Sequence, residues 1–170
     1  VVVIGAGSAG LTAAVGFSKV GKKVLLVERE HMGGECTNTG CIPSKALLHH
    51  AKSYHAAQKI IGETTQGETY RAGAFAYVRQ TIDAILAEET PETFEKIGIA
   101  VVRGEAIFSG KHSITVTTKA ANAEDTLEHS ETQYIFKTAI IATGSSPRMV
   151  EVPGLDNAHV LTNQNIFDLS

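Results

Sequence analysis

The chain opens on four consecutive apolar residues, Val1 to Ile4, then Gly5, then small residues through Val15 that read as a helix stopped at Gly21. A second apolar block, Val24-Leu25-Leu26-Val27, lies within Lys22 to Glu28. Unbroken runs of this kind suit parallel strands covered on both faces, because a half-exposed strand alternates instead. The opening therefore reads as strand, helix, strand: a βαβ unit.

Residues 31–42 contain Gly33, Gly34 and Gly40 and read as a loop. Pro43 suits the first turn of a helix, where its missing N–H costs nothing, and that helix is expected to run to about Ile61. Gly62 to Gly73 reads as a polar connection. Val78, Ile82, Ile85 and Leu86 then recur at helical spacing and predict a helix over Phe75 to Glu89, interrupted by Pro91, with Thr93 to Ile97 a short helical stretch ended by Gly98.

From Ile99 the period shortens toward two. Ile99 to Val102, Ala106 to Phe108, Ser113 to Thr118 and Gln133 to Lys137 read as strands of a small antiparallel layer, with Lys119 to Glu131 an exposed hairpin tip. Thr138 to Ala142 is expected to be a further buried strand, closed by Thr143 and Gly144, and Pro147, Pro153 and Gly154 mark an exiting connection. The fold class is α/β, with a parallel central sheet and a small antiparallel β-meander.

Composition narrows the partners. A chain of 170 residues that is 43% hydrophobic can bury one core. A net charge of -3 without a basic stripe disfavours nucleic acid, which needs clustered Lys and Arg. No apolar run approaches the roughly 20 residues of a membrane span, and Val1 to Ile4 is too short for a signal core. A soluble, cytoplasmic protein with a small-molecule partner and no membrane association is expected. Because Val1 starts inside a strand, the chain reads as a fragment.

Gly5-Ala6-Gly7-Ser8-Ala9-Gly10 follows a strand and opens a helix, the setting that the G-x-G-x-x-G fingerprint of a Rossmann-like domain requires. Gly5 permits the tight turn, Gly7 lets a pyrophosphate approach the backbone, and Gly10 lets helix and strand pack closely. The helix start offers free N–H groups and a positive dipole end to phosphates. Glu28, at the end of the second strand, is placed to accept ribose hydroxyl hydrogen bonds. These features predict dinucleotide binding without separating FAD from NAD.

The two cysteines, Cys36 and Cys41, sit five apart. A staple over so small a loop stabilises by only about 2 kcal/mol, which is little for a chain able to build a core. A structural zinc site with a histidine such as His31 would need four ligands, and no second close pair is present, so no metal is expected. Residues five apart in a regular helix have Cα atoms about 8.7 Å from each other, beyond the roughly 7 Å limit for a disulfide. Gly40 can relax the backbone between them. Cys41, next to the helix start at Pro43, is the candidate for a held thiolate.

The arrangement Gly33-Gly34-Glu35-Cys36-Thr37-Asn38-Thr39-Gly40-Cys41-Ile42-Pro43-Ser44-Lys45, after an N-terminal G-x-G-x-x-G, resembles the class I pyridine nucleotide-disulfide oxidoreductases. That group includes dihydrolipoamide dehydrogenase, glutathione reductase and mercuric reductase. The resemblance implies an FAD-binding domain over 1–144 and a connection over 145–170 leading toward an NAD(P)-binding domain. It implies a Cys36-Cys41 redox disulfide, with Cys36 attacking substrate, Cys41 beside the flavin and Lys45 near flavin N5.

The same resemblance places the FAD contacts at Gly5, Ala6, Gly7, Ser8, Ala9, Gly10, Glu28, Arg29, Gly33, Gly34, Glu35, Cys36 and Lys45. Ala106, with Gly104 and Glu105, lies where the family contacts adenine, and Thr143, Gly144 and Ser145 match a second FAD contact after Ile140-Ile141-Ala142. Electrons would pass from NAD(P)H through FAD to the disulfide and on to a disulfide or metal-ion acceptor, in a homodimer when full length. Glu35, Thr37 and Thr39 depart from the residues common in dihydrolipoamide dehydrogenase and glutathione reductase. With Val160-Leu161-Thr162-Asn163 they resemble the mercuric-reductase-like branch and disfavour glutathione, while dihydrolipoamide stays open. A non-catalytic dinucleotide-binding sensor is the alternative. His49, His50 and His55 do not share a helix face as a pair and are expected to be exposed or partly packed.

Overall fold

The computed structural model describes residues 1–62, 67–121, 127–155 and 158–169. In chain order the elements are β1 (Val2–Ile4), α1 (Ser8–Lys19), β2 (Val24–Glu28), α2 (Gly34–Asn38), α3 (Cys41–Ile61), α4 (Gly67–Leu86), α5 (Pro91–Glu95), β3 (Ile99–Arg103), β4 (Glu105–Gly110), β5 (Ser113–Ala121), β6 (Leu127–Ile135) and β7 (Ala139–Ile141), with a 3-10 turn over Ile166–Asp168. Two units form, one from Val1–Gly34 with Glu88–Gly144 and one from Glu35–Ala87 with Ser145–Ser170.

In the first unit four parallel strands take the order β3-β2-β1-β7. The apolar runs are explained by two separate covers. Val3 and Leu26, in register across β1 and β2, face a cluster with Leu11 and Ala14 of α1 and Phe94 of α5. Val2, Ile4 and Val27 point the other way, onto Ile114 and Val116 of the antiparallel sheet β4-β5-β6. Alternate residues of one short strand thus enter different cores, so no position is left for a polar side chain. Truncating fully buried Leu26 to Ala should cost about 2–5 kcal/mol.

Three expectations are corrected here. Ile99 to Val102 belongs to the parallel sheet, with Val24↔Ile99 through Glu28↔Arg103 in register. Val101 packs with the α1 cluster and Val102 with the meander cluster, so this run is two-sided rather than alternating. The expected tip at Lys119 to Glu131 is largely ladder: β5 and β6 pair as far as Ala121↔Leu127, and residues 122–126 lie outside the described residues. Backbone pairing alone can carry a hairpin beyond its apolar part. Finally, β7 is an edge strand, and its Ile141 is 66% exposed rather than buried.

In the second unit α3 and α4 run antiparallel, as their ring contacts show: Tyr54 and His50 stack on Tyr70, while His49 and His50 meet Tyr77. α4 begins at Gly67, within the stretch read as a polar connection; residues 63–66 lie outside the described residues. Tyr70 anchors this early turn. A single aromatic on a polar segment leaves no apolar period to detect. His50 is half-buried in the stack, whereas His49 and His55 are exposed. None of the described helices is long and apolar enough to cross a membrane.

Candidate active site

In the first unit the glycine turn is built from bare backbone. Gly5 adopts φ +101, and a Cβ there would strike the Ala142 carbonyl oxygen and lie 3.2 Å from Thr143 Cα. A Cβ on Gly10 would strike the Gly5 carbonyl oxygen, which is the close helix-to-turn approach that the third glycine of the fingerprint supplies. α1 begins after Gly7, which makes no side-chain cap bond. Exposed Ser8 and Ala9 occupy its first turn, where backbone N–H groups have no intrahelical acceptor.

A second glycine segment lies against this turn. Gly33 N donates to Ala6 O at 2.9 Å, and Gly7 bridges Gly33 in parallel fashion. Gly34 adopts φ +57, and a Cβ there would stand 2.6 Å from Gly7 Cα. Only glycine suits both the dihedral and the contact. The two segments together form a cradle that side chains would fill, the feature a pyrophosphate needs for close backbone approach.

Glu28 closes the cradle's other side. Its Oε2 accepts the Ala6 N–H at 2.5 Å and its Oε1 the Glu30 N–H at 2.8 Å, while its carbonyl accepts from Gly104 N at 2.8 Å. A carboxylate has about four acceptor sites, so the ribose contact expected of Glu28 stays open to it. Ala106 sits near this point, its side chain turned into the meander core. Arg29 is exposed and pairs with Glu30 at 3.0 Å. Thr143 adjoins Gly5, and Gly144 has φ +68 in open space. Ser145 belongs to the second unit.

The cysteines sit on helices rather than in the expected loop. Half-buried Cys36 lies in α2, and exposed Cys41 is the first residue of α3. The chain breaks helix between them. Thr39 N still donates to Glu35 O at 2.9 Å, but a Cβ on Gly40 would be 2.9 Å from that same oxygen and 3.5 Å from Cys36 Cα. Glycine therefore lets α3 start against α2, shortening a separation that one continuous helix would keep too long. Buried Pro43 occupies the first turn of α3, and Ser44 Oγ donates to Gly40 O at 2.7 Å.

The protonation of Cys41 depends on its partner sulfur as well as on the helix start. In the reduced pair the Cys41 thiol is raised above its ordinary value, chiefly by a hydrogen bond with Cys36 and then by the Cys36 charge and burial. Lys45, one turn along α3, pulls it down. Each thiol acts on the other, so the dithiol titrates as a pair. Among the described residues no three His, Cys, Asp or Glu side chains converge as a metal site.

Glu35 holds a contact the sequence did not announce: Asn163 Nδ2 donates to Glu35 Oε1 at 2.6 Å. No local signal links residues so far apart in the chain.

The pyridine nucleotide-disulphide oxidoreductase family model matches residues 1–169. The chain belongs to that family. Among its family relatives, the dihydrolipoyl dehydrogenase of Staphylococcus aureus is 35% identical over 157 residues, covering 89% of this chain and 31% of the relative. The mercuric reductase of Staphylococcus aureus is 30% identical, covering 98% of this chain and 29% of the relative. The solved structure of the HOCl-induced flavoprotein disulfide reductase RclA from Escherichia coli superposes with a TM-score of 0.75 at 26% identity, covering 99% of this chain and 33% of that one. The chain thus spans about a third of the length of the family members it matches.

Proposed function

We propose that this chain is the first FAD-binding segment, 1–144 with its connection over 145–170, of an enzyme that uses NAD(P)H to reduce a disulfide or metal-ion acceptor through Cys36 and Cys41. The observation that carries this reading is the dithiol itself, two thiols in hydrogen-bond contact across the glycine break between α2 and α3. A sensor that merely bound a dinucleotide would have no use for it. The cradle of Gly5, Gly7, Gly33 and Gly34, with Glu28, fits a pyrophosphate and its adjoining ribose.

Bound FAD supplies a two-electron relay from NAD(P)H to the cysteine pair. The chain's own residues then carry out thiol exchange. With a disulfide acceptor, the Cys36 thiolate attacks one sulfur and releases the other as a thiolate, leaving a mixed disulfide. Cys41 gives up its proton and attacks Cys36 Sγ, expelling the second acceptor thiol and leaving the Cys36-Cys41 disulfide. Two electrons have moved to the acceptor, and two protons complete its thiols. Lys45 stabilises the Cys41 thiolate that forms on the way. The resemblance extends the proposal to a homodimer acting in the cytoplasm.

The test is thiol mapping in the full-length protein. After anaerobic addition of NADPH or NADH, two new alkylatable thiols should appear, at Cys36 and Cys41, and Cys36→Ser should abolish acceptor reduction. Retained flavin with both thiols unchanged by either nucleotide would instead identify a sensor.

A further inference from the structure

Glu35 immediately precedes Cys36 on α2, and its side chain is fixed rather than free in solvent. Asn163 donates to Oε1 at 2.6 Å, and Asn163 is itself held by a built turn. Thr162 N donates to Asn165 Oδ1 at 2.6 Å, Gln164 N to Thr162 Oγ1 at 3.2 Å, and Asn165 Nδ2 to Val160 O at 3.0 Å. The following 3-10 turn packs on α4. A negative charge on an exposed glutamate ordinarily averages over many rotamers; here one rotamer is held by Asn163, one residue before the half-buried Cys36.

We propose that Glu35, positioned by Asn163, is a specificity-determining residue that turns anionic acceptors away from Cys36 and favours neutral or cationic disulfides. The inference rests on the redox role proposed above for Cys36. Its physical basis is Coulombic: a unit charge within about 7 Å of an incoming anion changes the encounter by about threefold even at the dielectric of water, and by more where protein excludes solvent. Lys45 acts oppositely and stays constant in the comparison, so the change on removing Glu35 is the quantity to read. Amide and carboxylate are isosteric, and a glutamine can still accept from Asn163. Glu35→Gln therefore removes charge while keeping the clamp.

The experiment uses the full-length protein, reduced, with Cys36 alkylated by iodoacetamide or iodoacetate and its adducts resolved by mass spectrometry. The neutral-to-anionic rate ratio at Cys36 should fall at least about threefold in Glu35→Gln, and the difference should shrink in high salt. Asn163→Leu, which leaves the charge but releases it, should give an intermediate ratio. The kcat/KM for the dianion 5,5′-dithiobis(2-nitrobenzoate) relative to the dication cystamine should rise in Glu35→Gln in the same proportion. An unchanged alkylation ratio in Glu35→Gln overturns the proposal, and a wild-type ratio in Asn163→Leu overturns the part given to Asn163. Alkylation needs no turnover, so a shifted ratio without NAD(P)H-driven reduction would sink the redox reading alone.

Discussion

Ala6 donates its backbone N–H to Glu28 Oε2 at 2.5 Å, tying the glycine turn after β1 to the end of β2. A charged acceptor on a partly buried amide contributes about 1.5–3 kcal/mol. Glu28→Ala should lower the urea midpoint of unfolding by a corresponding amount and weaken FAD retention. Hydrogen exchange supplies the local reading, since the Ala6 amide should lose protection first. Protection that persisted in the variant would show that another group satisfies Ala6.

Gly40→Ala tests the break between the cysteines. The added methyl meets the Glu35 carbonyl oxygen at 2.9 Å, so α2 and α3 must move apart. Overpacking of this sort costs about 1–3 kcal/mol, which should make the Cys36-Cys41 disulfide about fivefold or more easier to reduce in a glutathione redox buffer. Gly16→Ala is the contrasting variant. Nothing lies within 4 Å of its added Cβ on α1, and it should stabilise by about 0.4–1 kcal/mol. Equal redox behaviour of Gly40→Ala and the natural protein would refute the role given to this glycine.

The pH dependence of Cys41 follows from its neighbours. Its raised value comes mainly from Cys36, so Cys36→Ala should let the Cys41 thiolate form at lower pH than in the reduced natural pair. Adding Lys45→Met should move it upward again, because the lysine charge favours the thiolate. The rate of Cys41 alkylation by iodoacetamide, followed from pH 6 to 10, reports both shifts. A profile moving upward in Cys36→Ala would mean that the partner sulfur stabilises the anion rather than the acid.

Much of the fold was legible wherever local pattern and tertiary role coincide. The β1, α1, β2 opening could be read because glycine spacing, an apolar strand and a helix start all point to one geometry. Ile99 to Val102 misled because a short apolar run after a helix looks the same whether its sheet is parallel or antiparallel; only its two-sided packing decides. The helical state of Cys36 was hidden by the glycines around it. At the site, the cradle could be anticipated from backbone requirements, whereas the Asn163 contact with Glu35 could not, since it depends on where the chain returns.

The pairing of Val2 with Ala139 sets an order of events during synthesis. β1 lies between β2 and β7, so the second edge of the chain's first strand stays unsatisfied until nearly all the described residues have left the ribosome. Cys36 and Cys41 emerge long before that, on helices that belong to the other unit. Contacts so distant in sequence form late, because their loop closure is costly. The nascent chain therefore passes through a window in which both cysteines have emerged while the β1 edge is still open, and a chaperone would act in that window.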